Sequence, residues 1–126
     1  MLHDPRPLLL ANARIVDPSR DLDMHGDLLI ADGIIRDAQP GIRASGVPQG
    51  TEIVDCNNKL VAPGLVDMRA FVGEPGAEYR ETLVTASQAA AAGGVTTIAC
   101  QPETSPAIDD PAIVDFVLRR ARDTAV

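Results

Sequence analysis

The stretch from Lys59 onward constrains the fold most, because it alternates strand and helix patterns. Lys59-Leu60-Val61-Ala62-Pro63-Gly64-Leu65-Val66-Asp67-Met68 leads into an apolar run that suits a buried strand. Thr82 to Ala92 is rich in helix formers, and Gly93-Gly94 reads as its C-terminal stop feeding the next strand. Val95 to Cys100 is a β-branched run. Asp110-Pro111 then supplies a cap and an N1 proline for a helix over 112–122, with Ile113, Phe116, Val117 and Arg120 at helical spacing. A strand–helix–strand–helix run of this kind needs strand neighbours on both sheet edges.

The first 60 residues differ in kind. Leu8 to Val16 is apolar and ends in the turn chemistry of Asp17-Pro18-Ser19-Arg20. Asp27 to Ala31 and Ile34 to Asp37 flank Asp32-Gly33, a hairpin signal because a type I′ turn needs positive φ at both central residues. Pro40, Gly41, Gly46, Pro48 and Gly50 mark a loose connection, and Thr51 to Asp55 is one more strand. No helical stripe precedes residue 60. The expected division is therefore a β-rich part, 1–60, and an α/β part, 61–126. A closed eightfold barrel takes about 250 residues, whereas the chain has 126. The chain is expected to be a fragment, or to complete itself by association.

Composition excludes several roles. Eleven basic against 18 acidic residues give a formal charge of −7, which disfavours nucleic acid and anionic membrane surfaces alike. Aromatic residues are 2% of the chain, too few for base-stacking platforms. Cys56 and Cys100 read as reduced structural thiols rather than a disulfide framework. No signal peptide or membrane-spanning run is read, so a cytoplasmic location is expected.

Val61-Ala62-Pro63-Gly64-Leu65-Val66-Asp67-Met68, Glu74-Pro75-Gly76, Glu81-Thr82, Ala89 to Thr97, and Pro102, Thr104 and Pro106-Ala107-Ile108-Asp109 together resemble the dihydroorotases of the cyclic amidohydrolase superfamily. The likeness is to the type found alongside aspartate carbamoyltransferase. It implies an α/β fold: the N-terminal part of a (β/α)8 barrel, incomplete in this chain, preceded by part of a small β-sandwich. It also implies zinc at the strand ends, held by an Asp-x-His-x-His-x-Arg sequence. Two histidines at i and i+2 share one face of a strand and reach one ion. The arginine that follows holds the substrate carboxylate, and an asparagine after the second strand touches substrate.

The chain departs at each of those positions. Arg69 and Phe71 stand where the two histidines are due, Gly73 where the arginine is due, and Glu103 where the asparagine is due. A phenyl ring offers a metal no lone pair, and guanidinium has no acceptor and does not deprotonate in proteins. A fixed cation about 4 Å from a metal repels it by about 4 kcal/mol per unit of metal charge at an effective dielectric of 20. The resemblance therefore implies no catalytic, substrate-binding or metal residues and no cofactor in this chain. It implies a non-catalytic relative in pyrimidine biosynthesis that organises aspartate carbamoyltransferase, in an oligomer. Arg69 would then be a permanent cation among acids left without a metal. Two alternatives stay open: a working zinc dihydroorotase with its ligands elsewhere, and a fragment with no independent function.

Other features read as structural. Asp21, Asp23, Gly26 and Asp32 partly imitate a calcium loop, but strands flank them and the last position lacks glutamate, so a solvated turn is expected. His3 and His25 lack metal-binding spacing. Ala89 to Ala92 reads as a small-residue face packed on the sheet. Arg119, Arg120 and Arg122 read as a solvated complement to a helix dipole, and Asp67 as a hydrogen-bond partner of nearby backbone.

Overall fold

The computed structural model describes residues 6–124 and Val126, so His3 lies outside the described residues. Contacts divide the chain into two compact units between Pro63 and Gly64.

The first unit contains β1 (Leu8–Asp17), β2 (Leu22–Ala31), β3 (Ile34–Gln39), α1 (Ile42–Ser45), β4 (Glu52–Asp55) and β5 (Leu60–Val61). Its sheet runs β3-β2-β1-β4, and β5 also pairs with β1, so Leu60 and Val61 lie with this unit. The hairpin forms as expected, with φ of 54° at Asp32 and 71° at Gly33. Two expectations change. The loose connection holds a single turn of helix, α1, anchored where Ile42 is buried. The acidic segment is strand rather than turn: Leu22 and Met24 pack inward while Asp23 and His25 stay exposed, a period-two pattern. Asp23 there receives both Nε and Nη2 of Arg14, at 2.8 and 2.6 Å.

One extra residue in β1 decides where the core sits. Leu10 pairs with Leu28 but Ala13 with Gly26, so three steps on β1 match two on β2. Asn12, at φ 61°, absorbs the difference as a bulge. Leu9 and Ala11 pack with Ile42, whereas Ala13 and Ile15 pack with Leu28 and Cys56. Buried Asp27 fixes the bulge by accepting the Asn12 N–H at 2.9 Å and the Arg43 N–H at 3.1 Å.

The second unit contains β6 (Leu65–Ala70), α2 (Leu83–Ala92), β7 (Val95–Cys100) and α3 (Pro111–Thr124). β6 and β7 pair in parallel across the α2 crossover. Thr82 caps α2 reciprocally: its Oγ1 accepts the Thr85 N–H at 3.2 Å, and Thr85 Oγ1 accepts the Thr82 N–H at 3.1 Å. Asp110 Oδ1 caps α3 by accepting the Ala112 N–H at 2.7 Å. Gly94 follows α2 at φ 77°, as its stop role requires. The strand expected to be buried is not. Leu65, Val66 and Met68 are 61, 56 and 74% exposed, because among the described residues β6 has a strand neighbour on one edge only. Of the alanine run only Ala90 is half-buried; Ala89, Ala91 and Ala92 are exposed.

Candidate functional site

The C-terminal end of β6 gathers the residues that matter. The ladder pairs Asp67 with Ile98 but Ala70 with Cys100, so a bulge sits at Met68 and Arg69. A bulge leaves an amide without a ladder partner. Here Asp67 Oδ1 accepts the Arg69 N–H at 2.9 Å, the backbone role expected for that aspartate. Arg69 itself is exposed and, among the described residues, its guanidinium makes no ion pair.

Phe71 follows the strand and is 36% exposed. The Arg80 guanidinium carbon stands 4.6 Å from its ring centroid, within the roughly 6 Å range of a cation–π contact. This pairing has no sequence signature, since the eight residues between the partners form an irregular turn.

Gly73 explains how that turn closes. The Ala77 N–H donates to Gly73 O at 2.6 Å, bringing the chain back upon itself. A Cβ at position 73 would lie 2.4 Å from Ala77 O and 2.8 Å from Glu81 O. Both are backbone atoms, so a side chain at this position requires the turn to move. The glycine in the expected arginine position is thus part of a closed local structure.

Glu74 is buried, with two partners. Its Oε2 accepts the Leu83 N–H, the first amide of α2, at 3.1 Å, and its Oε1 accepts from Arg120 Nε on α3. One carboxylate therefore ties the strand end to both helices. This corrects the reading of the three arginines as a solvated set: Arg120 is committed to Glu74, and Arg119 pairs with Asp115 one turn earlier.

The remaining acids face elsewhere. Glu78 Oε1 accepts the Gly76 N–H at 3.0 Å, which holds its carboxyl below the usual glutamate value. Glu81 accepts from the Thr85 hydroxyl. Glu103, after β7, is exposed. Burial pushes the half-buried Cys100 thiol up, so it stays neutral at pH 7.

Zinc does not fit the residues present. Arg69 and Phe71 supply no lone pair, and among the described residues no three His, Cys, Asp or Glu side chains are grouped to share an ion. A cavity of about 750 Å3 in the first unit is lined by Asn12, His25, Asp27 and Arg43, but two backbone donors already occupy the Asp27 carboxylate.

Solved structures share this architecture. The L-hydantoinase (dihydropyrimidinase) from Arthrobacter aurescens matches with a TM-score of 0.76 and 26% identity, over 90% of this chain and 24% of its own. A D-hydantoinase from a Thermus species matches with a TM-score of 0.66 and 28% identity, again over 90% of this chain and 24% of its own. The chain thus shares the fold of the corresponding part of the amidohydrolase barrel proteins.

Within that class, the dihydroorotase-like family model matches residues 58–126, and the chain belongs to that family. A dihydroorotase of Citrifermentans bemidjiense is 42% identical over 119 residues, 94% of this chain and 27% of that protein. One of Syntrophobacter fumaroxidans is 43% identical over 121 residues, 95% of this chain and 28% of that protein. The chain spans about a quarter of the length of these curated relatives. No helix among the described residues is long and apolar enough to cross a membrane.

Proposed function

We propose that this is a metal-ligand-deficient, non-catalytic member of the dihydroorotase-like family. Its role is to bind and organise aspartate carbamoyltransferase in pyrimidine biosynthesis, within a cytoplasmic oligomer. The observation that carries the reading is the strand end itself. Arg69 and Phe71 stand where metal ligands are due, and Gly73 sits in a turn with no room for a side chain. Glu103 adds negative charge where an anionic substrate would arrive. Losing the cationic partner of a buried carboxylate costs about 2–5 kcal/mol of binding.

The second reading, an active zinc dihydroorotase with its ligands elsewhere, draws support from relatives that carry that name. Three measurements separate the two. Metal analysis of the purified protein is expected to find less than stoichiometric zinc. Dihydroorotate ring opening is expected to stay at the uncatalysed rate with zinc added. Aspartate carbamoyltransferase is expected to co-elute with the chain. Chelator-sensitive turnover would overturn the first reading, and failure of co-elution would remove the scaffold role.

A further inference from the structure

We infer that the first unit carries a receptor for a free aliphatic α-amino acid, in a cavity beside the turn that follows β1. The site lies wholly within that unit. It uses no residue of the β6 strand end and so stands apart from both readings above.

The cavity supplies the apolar half of the site. It encloses about 140 Å3 and is lined by Ile15, Leu22, Leu28 and Val61, with Asp17 and Arg20 as its only charged lining residues. Ile15 and Leu28 are buried and form its inner wall. Arg20 is exposed and Asp17 half-buried, so the two charges stand on the solvent side. An apolar cavity of about 150 Å3 admits a small hydrocarbon and gives water few partners. An isopropyl or isobutyl group is of that size.

The two charges select what that group is attached to. Asp17 and Arg20 are three residues apart, yet among the described residues neither makes an ion pair. Asp17 is held through one oxygen: Oδ1 accepts the Ser19 N–H at 3.0 Å and the Ser19 hydroxyl at 2.7 Å. Its Oδ2 has no partner among the described residues and keeps its lone pairs for an incoming donor. The turn Pro18–Arg20 is closed by the Asp21 N–H, which donates to Pro18 O and fixes the backbone that carries Arg20. Guanidinium has five donors and no acceptor, and its fork fits a carboxylate. One anionic acceptor and one cationic fork beside an apolar cavity match the three groups of an aliphatic amino acid: ammonium on Asp17, carboxylate on Arg20, side chain inward. A fatty acid would bring its carboxylate beside Asp17 with no ammonium to offset it, and a plain amine would leave Arg20 unmatched.

The test is a titration of the full chain with L-leucine, followed by backbone amide NMR signals and by calorimetry. Saturable binding is expected, with shifts at Leu22, Leu28 and Ala38. Glycine lacks the apolar group, 4-methylpentanoate the ammonium and 3-methylbutylamine the carboxylate. Each is expected to bind at least about tenfold more weakly than L-leucine. Arg20→Gln is expected to weaken L-leucine binding about tenfold and, at an exposed position, to leave the fold intact. Ala38→Leu, at a half-buried lining position, fills the cavity and is expected to abolish binding. Should Ala38→Leu fail to fold, Arg20→Gln decides alone. Shifts that rise linearly with L-leucine would overturn the proposal. So would saturable binding that Arg20→Gln leaves unchanged, or equal binding of 4-methylpentanoate and L-leucine. None of these outcomes bears on zinc binding or turnover, so this inference and the proposed function fail separately.

Discussion

The two units make different use of similar numbers of residues. The first buries Leu9, Ala11, Ala13, Ile15, Leu28, Ile42 and Cys56, and its buried acid, Asp27, is satisfied by backbone. Among the described residues the second buries Val72, Gly73, Leu83 and Glu74, and leaves Leu65, Val66 and Met68 exposed on a two-stranded sheet. The first unit supplies β1 with neighbours on both edges, antiparallel β2 on one and parallel β4 and β5 on the other, whereas the parallel pair β6 and β7 depends on neighbours supplied by further crossovers. The first unit therefore holds its own core, while the second is tied by a few polar contacts around one strand end.

The largest expected effect tests that contrast directly. Leu9→Ala in the first unit should cost about 2–5 kcal/mol in chemical denaturation, whereas Met68→Ala, at a mostly exposed site, should change stability by less than about 0.5 kcal/mol. Equal losses at the two sites would erase the distinction. Glu74→Ala should come next, at about 2–3 kcal/mol, because it frees the first amide of α2 and the Arg120 guanidinium together. Hydrogen exchange would locate the loss in α2 and α3, and a loss confined to the first unit would contradict the tie. Gly73→Ala should cost about 1–3 kcal/mol and shift the amide signals of Ala77 and Glu81, reporting a turn forced open.

The smallest effect is electrostatic. The Arg14 hydrogen bonds hold Asp23 below the ordinary aspartate value, and the Asn12 amide and the Asn57 N–H do the same for Asp55. A carboxyl lowered in the folded state stabilises it above the unfolded pKa, about 3.9, and loses that contribution as pH falls through the lowered folded value. The first unit should therefore lose a little stability on acidification from about pH 5 to about pH 3, and Asp23→Asn with Asp55→Asn should flatten the slope. Both groups are exposed, so thermal melts at closely spaced pH values are needed to see it.

Local signals were legible where the backbone chemistry is local. Asp32-Gly33 makes a hairpin and Asp110 caps α3 because each acts on residues within a few positions. The family was legible from Pro63-Gly64-Leu65, Glu74-Pro75-Gly76 and the residues around Pro102. What escaped the sequence depends on distance along the chain. Glu74 and Arg120 are 46 residues apart, and neither type of residue announces its partner. Leu22 and Met24 looked like part of an acidic turn because the apolar residues of a one-sided strand are only every second one. The departures at Arg69 and Phe71 could be read, but the reason Gly73 matters, backbone crowding by Ala77 and Glu81, is visible only in three dimensions.

The extra residue at Asn12 carries a last consequence. It lets a single strand contribute to both layers of its surroundings, with Leu9 and Ala11 serving one and Ala13 and Ile15 the other. Length at that point is therefore as informative as residue type. Removing Asn12 would leave Ala13 and Ile15 on their face, because Leu10, Ala11 and Ala13 would then alternate regularly against Leu28, Asp27 and Gly26, but Asp27 would lose one of the N–H groups it accepts. The connection around Gly46 to Gly50 can likewise grow or shrink without reversing any strand.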